Sequence, residues 1–180
     1  LLGRHGTLGQ VKFFLRARGR EADDVVARHD RLYAARGVVL AEIPRQWRRA
    51  EVPRADLDRF LFEPEDVVVV VGQDGLVANV AKYLRGQLVV GVNGDPGYEA
   101  GVLVRHRAER GCELMLAAGQ GKVAAVDSRT MVSACLDDGQ ELVALNEIFV
   151  GQSNHQSALY RLAVADMEER QSSSGLIVSS

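Results

Sequence analysis

The stretch DVVVVVGQDGLVANVAKYLRG, from Asp66 to Gly86, decides the fold. Val67–Val71 has no polar face, as expected for a strand of a parallel sheet covered on both sides. Gly72-Gln73-Asp74-Gly75 has turn composition, since two glycines free the backbone. From residue 76 to 85 the apolar positions Val77, Val80, Ala81 and Leu84 recur at helical spacing, and Gly86 stands where a helix stops. Leu88–Val92 is apolar again. Strand, turn, helix and strand thus follow within a few tens of residues, which is a compact βαβ unit.

Upstream, Thr7 followed by Gln10 has the spacing of a capping box. Leu8, Val11, Phe14 and Leu15 then share a helical face, and Gly19 takes the C-terminal position. A second helix is expected over 21–36, with Val25, Val26, Leu32 and Tyr33 inward and Gly37 closing it. VVLAEIP, 38–44, is expected as a short strand ended by Pro44. Residues 45–66 are punctuated by proline, and only LDRFLF within them looks packed. Beyond Gly97 the pattern changes. TMVSACLDDGQELVALNEIFVG reads as two strands joined at Asp137-Asp138-Gly139-Gln140, SALYRLAVAD and SGLIVSS read as further strands, and HRAERGCELMLAAGQG has room for one short helix. The expectation is an α/β N-terminal domain with a Rossmann-like parallel sheet, residues 1–97, followed by a mostly β domain, residues 98–180.

The 180 residues, 47% apolar and 26% charged, have the composition of a soluble globular chain long enough to bury a core. No apolar run reaches the roughly 18–20 residues of a membrane span, so no membrane partner is expected. The first residues have neither a signal-peptide layout nor an initiator Met, and the native start is expected to lie upstream. Cys112 and Cys135 have no metal-ligand spacing and read as buried or inert thiols in a reducing cytoplasm, with no disulfide expected. Residues 1–60 carry 13 Lys/Arg against 8 Asp/Glu, while the remainder carries 9 against 16. The basic half interleaves its arginines with acids and lacks aromatic interleaving, which argues against a nucleic-acid partner. His5, His29, His106 and His155 share no spacing that suggests a metal site.

Ligands of an open parallel sheet bind beyond the carboxyl ends of its strands, and Gly72-Gln73-Asp74-Gly75 stands at such an end. Glycines there permit positive φ and the close approach of an anion, and the following helix N-terminus adds partial positive charge. A carboxylate beside a phosphate needs another task. Asp74 is either a general base toward an attacking hydroxyl, a Mg²⁺ ligand, or simply a helix cap. The spacing fits neither a G-x-G-x-x-G dinucleotide turn nor a G-x-x-x-x-G-K-[ST] loop.

VVVVVGQDGLVANVAKYL, followed in order by VVGVNGD, ALNEIFVG and SSSGLIVSS, resembles the NAD kinase family, in a divergent bacterial form with Gly-Gln-Asp-Gly for Gly-Gly-Asp-Gly. The resemblance covers about residues 66–95 and 142–180. It implies phosphoryl transfer from ATP or polyphosphate to the 2′-hydroxyl of NAD, with Mg²⁺, in a cytoplasmic homodimer or homotetramer. On that resemblance Asp74 is the catalytic residue. Gly72, Gln73 and Gly75 form the phosphate- and nucleotide-binding turn, and Asn93, Asn146 and Glu147 bind NAD. Two departures bear on it: Gln73 replaces a glycine, and Ser174 stands where the family has aspartate. The family also continues beyond the equivalent of Ser180 into a Thr/Gly/Ser-rich segment. A kinase acting on a lipid or sugar hydroxyl, and a dinucleotide-binding protein without catalysis, remain as alternative readings.

Overall fold

The computed structural model describes residues 6–19, 22–98 and 100–180, with Leu8 described for its backbone alone. The chain divides into two compact units. One comprises the residues up to Val77 with Arg85–Ala124, and the other Ala78–Leu84 with Ala125–Ser180.

The first unit opens with α1 (Leu8–Arg16), whose start the Thr7–Gln10 spacing predicts. Thr7 is the N-cap, and its hydroxyl accepts the N–H of Gln10 at 3.2 Å. Val11 and Leu15 are buried with Ala22 in a small cluster completed by Phe14 and Val25. The second helix, α2 (Ala22–Glu42), departs from expectation. Residue 21, its expected start, lies outside the described residues. At its far end the helix runs through Gly37 and takes in Val38-Val39-Leu40, which the sequence reading assigns to a strand. The reason is tertiary. Val39 is buried in the main core with Ala35 and Ile43 packed beside it, a four-residue spacing that stacks side chains along one helix face. A 3-10 turn at Arg54–Arg59 buries Leu57.

β1 (Val67–Gly72), α3 (Asp74–Ala81) and β2 (Leu88–Asn93) form the anticipated βαβ unit. The strands are parallel, in a register that runs from Val67 opposite Leu88 to Gly72 opposite Asn93. The helix is shorter than expected and begins at Asp74 itself. Val67, Val69, Val71, Val90 and Val92 face a core shared with α2 and with α4 (Ala108–Gly119), which supplies Ala108, Cys112 and Met115. Gly111 lets α4 press onto Val92, because a Cβ there would lie 2.4 Å from the valine methyl. The expectation of a fully buried strand needs correction. The sheet has two strands, β1 is mostly half-buried, and Val89 stays exposed. With so few neighbours, part of each strand remains open to water.

The second unit holds three antiparallel pairs: β3 (Val132–Cys135) with β4 (Glu141–Ala144), β5 (Glu147–Gly151) with β8 (Gly175–Ser179), and β6 (Ala158–Val164) with β7 (Met167–Ser173). The β3–β4 hairpin turns where Asp137–Gln140 predicts. Gly139 has φ +85°, and the Asp138 carboxylate accepts the N–H of Gln140. β7 is an addition, because Met167-Glu-Glu-Arg-Gln-Ser-Ser has no apolar alternation to betray a strand. Tyr160 of β6 places its hydroxyl 3.0 Å from both Gln171 and Ser173 of β7. The architecture is therefore mixed α/β, with a short parallel sheet followed by antiparallel strands. Among the described residues no helix is long and apolar enough to cross a membrane. Both cysteines are free thiols, but only Cys112 is buried, whereas Cys135 is exposed on β3, and burial raises the pKa of Cys112.

Candidate functional site

The carboxyl ends of β1 and β2 bring five of the candidate residues together. Gly72 pairs with Asn93 across the ladder, and the Gly94 N–H continues it onto the Gly72 carbonyl at 3.3 Å. Gln73 is exposed between strand and helix, and its carbonyl accepts the N–H of Leu76. Asp74 and Gly75 open α3. Neither Gly72 nor Gly75 has positive φ, so the expected left-handed turn is not what these glycines supply. At Gly75 a Cβ would meet nothing within 4 Å, whereas at Gly72 it would lie 3.2 Å from Leu76. Their contribution is space beside the backbone.

Asp74 does not cap its own helix. Its Oδ1 accepts the N–H groups of Leu103 and Val104, both at 2.9 Å, and its Oδ2 accepts that of Val102 at 2.8 Å. Three successive amides thus converge on one carboxylate, the arrangement in which a backbone nest holds an anion. Burial alone would raise the carboxyl pKa. The amides of Val104, Val102 and Leu103 outweigh it and hold Asp74 below the ordinary carboxylate range. The sequence gives no hint of this partner, which lies 28 to 30 residues downstream.

The strap that carries those amides, residues 101–104, lies against the face of β2 opposite α4. Alternation along β2 turns Gly91 away from Val90 and Val92, and a Cβ at Gly91 would sit 2.1 Å from the Leu103 carbonyl oxygen. At Gly101 a Cβ would fall 2.5 Å from Val104 and 3.0 Å from Asp74 Oδ1. Val104 is 2% exposed. Farther on, His106 forms a parallel bridge to Val92, and its carbonyl accepts the Asn93 N–H at 2.8 Å.

Asn93 is buried, and its side-chain oxygen accepts the N–H of Asp95 at 2.9 Å. Asp95 in turn takes a two-point fork from Arg31 of α2, at 2.7 and 3.0 Å. Arg28 approaches the same carboxylate at 3.6 Å and lies 3.7 Å above the Tyr98 ring. The Arg31 fork lowers the Asp95 pKa, against the opposing effect of burial. Sequence reasoning passed over Arg28, Arg31 and Asp95. The available signal was two arginines three residues apart, which share one helix face.

The remaining candidates lie in the second unit. Asn146 and Glu147 are adjacent and exposed, at the bend that opens β5. The Asn146 carbonyl accepts the Ser180 N–H at 3.1 Å, and the Ser180 hydroxyl donates to the Leu145 carbonyl at 2.7 Å. Ser174 makes the bend between β7 and β8, with its carbonyl against Gly151.

A divalent cation does not fit the carboxylates at these strand ends. Mg²⁺ sites draw on one or two carboxylates with free oxygens. Asp74 faces three N–H donors and Asp95 faces two guanidiniums. Among the described residues no three His, Cys, Asp or Glu side chains group to hold a metal. His5 lies outside the described residues. No protein-family model matches the chain, and no curated protein matches it.

Proposed function

We propose that the chain is an NAD kinase-like phosphotransferase that moves a phosphoryl group from ATP or polyphosphate to the 2′-hydroxyl of NAD. The observation that carries this reading is the gathering of Gly72, Gln73, Asp74, Gly75 and Asn93 at the carboxyl ends of two parallel strands. That is where ligands of parallel sheets bind, and the order of the four resembling segments supports the same family. On this reading the short parallel sheet is Rossmann-like, and the chain assembles into a cytoplasmic homodimer or homotetramer.

The chemistry asked of the residues is modest. The acceptor oxygen forms a bond to the terminal phosphorus while the bridging P–O bond breaks, and the donor leaves one phosphate shorter. The transition state of such transfers is loose, so positioning outweighs base strength. An ionised carboxylate offers about four acceptor sites, and three strap amides occupy three of them. The remaining site, on Oδ2, is suited to orient a ribose hydroxyl and receive its proton late. Space beside Gly75 and the N-terminus of α3 are suited to phosphate. Asn146 and Glu147 offer an amide and a carboxylate for ribose hydroxyls.

A second reading is favoured by the engagement of Asp74 with the strap: a dinucleotide-binding protein without catalysis. Purified protein with ATP or polyphosphate and NAD, followed by a dehydrogenase specific for NADP, separates the two. NADP formation supports the kinase, and NAD binding without NADP supports the binding protein. ATP turnover with lipid or sugar alcohols in place of NAD moves the assignment to another acceptor.

A further inference from the structure

We propose that Asp74, besides receiving the hydroxyl proton, is a positioning residue: its carboxylate seats the 101–104 strap across β2, and the seated strap forms one wall of the ligand site. The wall rests on the reading of these strand ends as a ligand site; the seating does not.

Two independent features of the strap point to a fixed part rather than a passing contact. One is its hydrogen bonding, with all three successive N–H groups of Val102, Leu103 and Val104 directed to a single side chain. The other is its fit, since neither Gly91 beneath it nor Gly101 within it has room for a Cβ. Downstream the same segment is tied to β2 through His106. The strap is thus held by the Asp74 side chain at one end and by backbone pairing at the other. A residue serving chiefly as a base would keep its acceptor sites open, but most of those of Asp74 are taken. Loss of activity in Asp74→Asn therefore does not by itself identify a base, because the amide places an NH₂ group among N–H donors.

Gly101→Ala separates the two roles. Its methyl would press on Val104 at 2.5 Å and crowd Asp74 Oδ1 at 3.0 Å, displacing the strap while the carboxylate group itself is retained. The experiment is hydrogen exchange on the full chain for wild type, Asp74→Asn and Gly101→Ala, comparing residues 100–106 with α4 as the folding control. NAD affinity by calorimetry and NADP kinetics accompany it. Both variants are expected to exchange in the strap at least about tenfold faster, with α4 within about twofold of wild type. Gly101→Ala is expected to raise KM for NAD by about tenfold, a loss of 1.4 kcal/mol.

Strap exchange unchanged in Asp74→Asn overturns the seating. A loosened strap in Gly101→Ala with wild-type NAD affinity and turnover, beside an inert Asp74→Asn, overturns the wall and leaves Asp74 a base alone. If Asp74→Asn also deprotects α4, through-hydrogen-bond couplings between the Asp74 carboxylate carbon and the amide nitrogens of 102–104 in wild type decide the seating. Their presence supports it and their absence overturns it. A wild type that binds no NAD overturns the wall together with the kinase reading, whereas the exchange data still judge the seating.

Discussion

Val104 donates its N–H to Asp74 Oδ1 at 2.9 Å, joining the first turn of α3 to a strap 30 residues further along the chain. Val104 is buried, so its amide has no ready substitute in water. Asp74→Asn leaves at least one strap amide without an acceptor. Such a loss costs about 1–3 kcal/mol. Urea unfolding should show a lower midpoint at an unchanged slope, and a midpoint equal to wild type would remove the strap bonds from the stability account.

Acid should reveal the same bonds. Asp74 and Asp95 both have pKa values below the ordinary carboxylate value in the folded chain. A group lowered in this way stabilises the fold above its unfolded pKa of about 4, and the contribution is lost as pH falls through the folded value. Arg31 stays charged throughout. The urea midpoint should hold between about pH 7 and 5 and decline below about pH 4. In Asp74→Asn that decline should be shallower, because one of the two groups no longer titrates.

Glycines of this chain fall into two kinds that substitution should separate. Gly91→Ala drives a methyl into the Leu103 carbonyl, which is backbone and cannot swing aside. The expected cost is about 2–3 kcal/mol. Gly37 lies inside α2 with nothing within 4 Å of its missing Cβ and no positive φ. Gly37→Ala should stabilise by about 0.5–1 kcal/mol. Thermal unfolding of the two single variants measures both, and shifts of the same sign would contradict the assignment.

What could be read from the residues alone was what short-range pattern controls. The capping of α1 by Thr7, the β1–α3–β2 unit and the turn at Gly139 each have a local chemical signature. The extension of α2 was hidden, because Val38-Val39-Leu40 has strand propensity and only burial of Val39 reverses it. β7 was hidden for a different reason. Its strand is polar, and the turn before it is Ala165-Asp166, with Ala165 at φ +50° where a hairpin usually signals itself with Asn-Gly. In the candidate site, the position of Asp74 at a strand end was legible. Its partners were not, since a nest of backbone amides has no residue code. The Asp95–Arg31 fork spans 64 positions and was equally out of reach of local pattern.

The most direct test of the central claim is NADP formation by the purified full chain, supplied with NAD and either ATP or polyphosphate, and followed through an NADP-specific dehydrogenase. The account predicts NADP in proportion to enzyme, with the signal reduced at least about a hundredfold in Asp74→Asn, about 2.7 kcal/mol of transition-state stabilisation. NAD binding with no NADP under either donor, in wild type and variant alike, would contradict it.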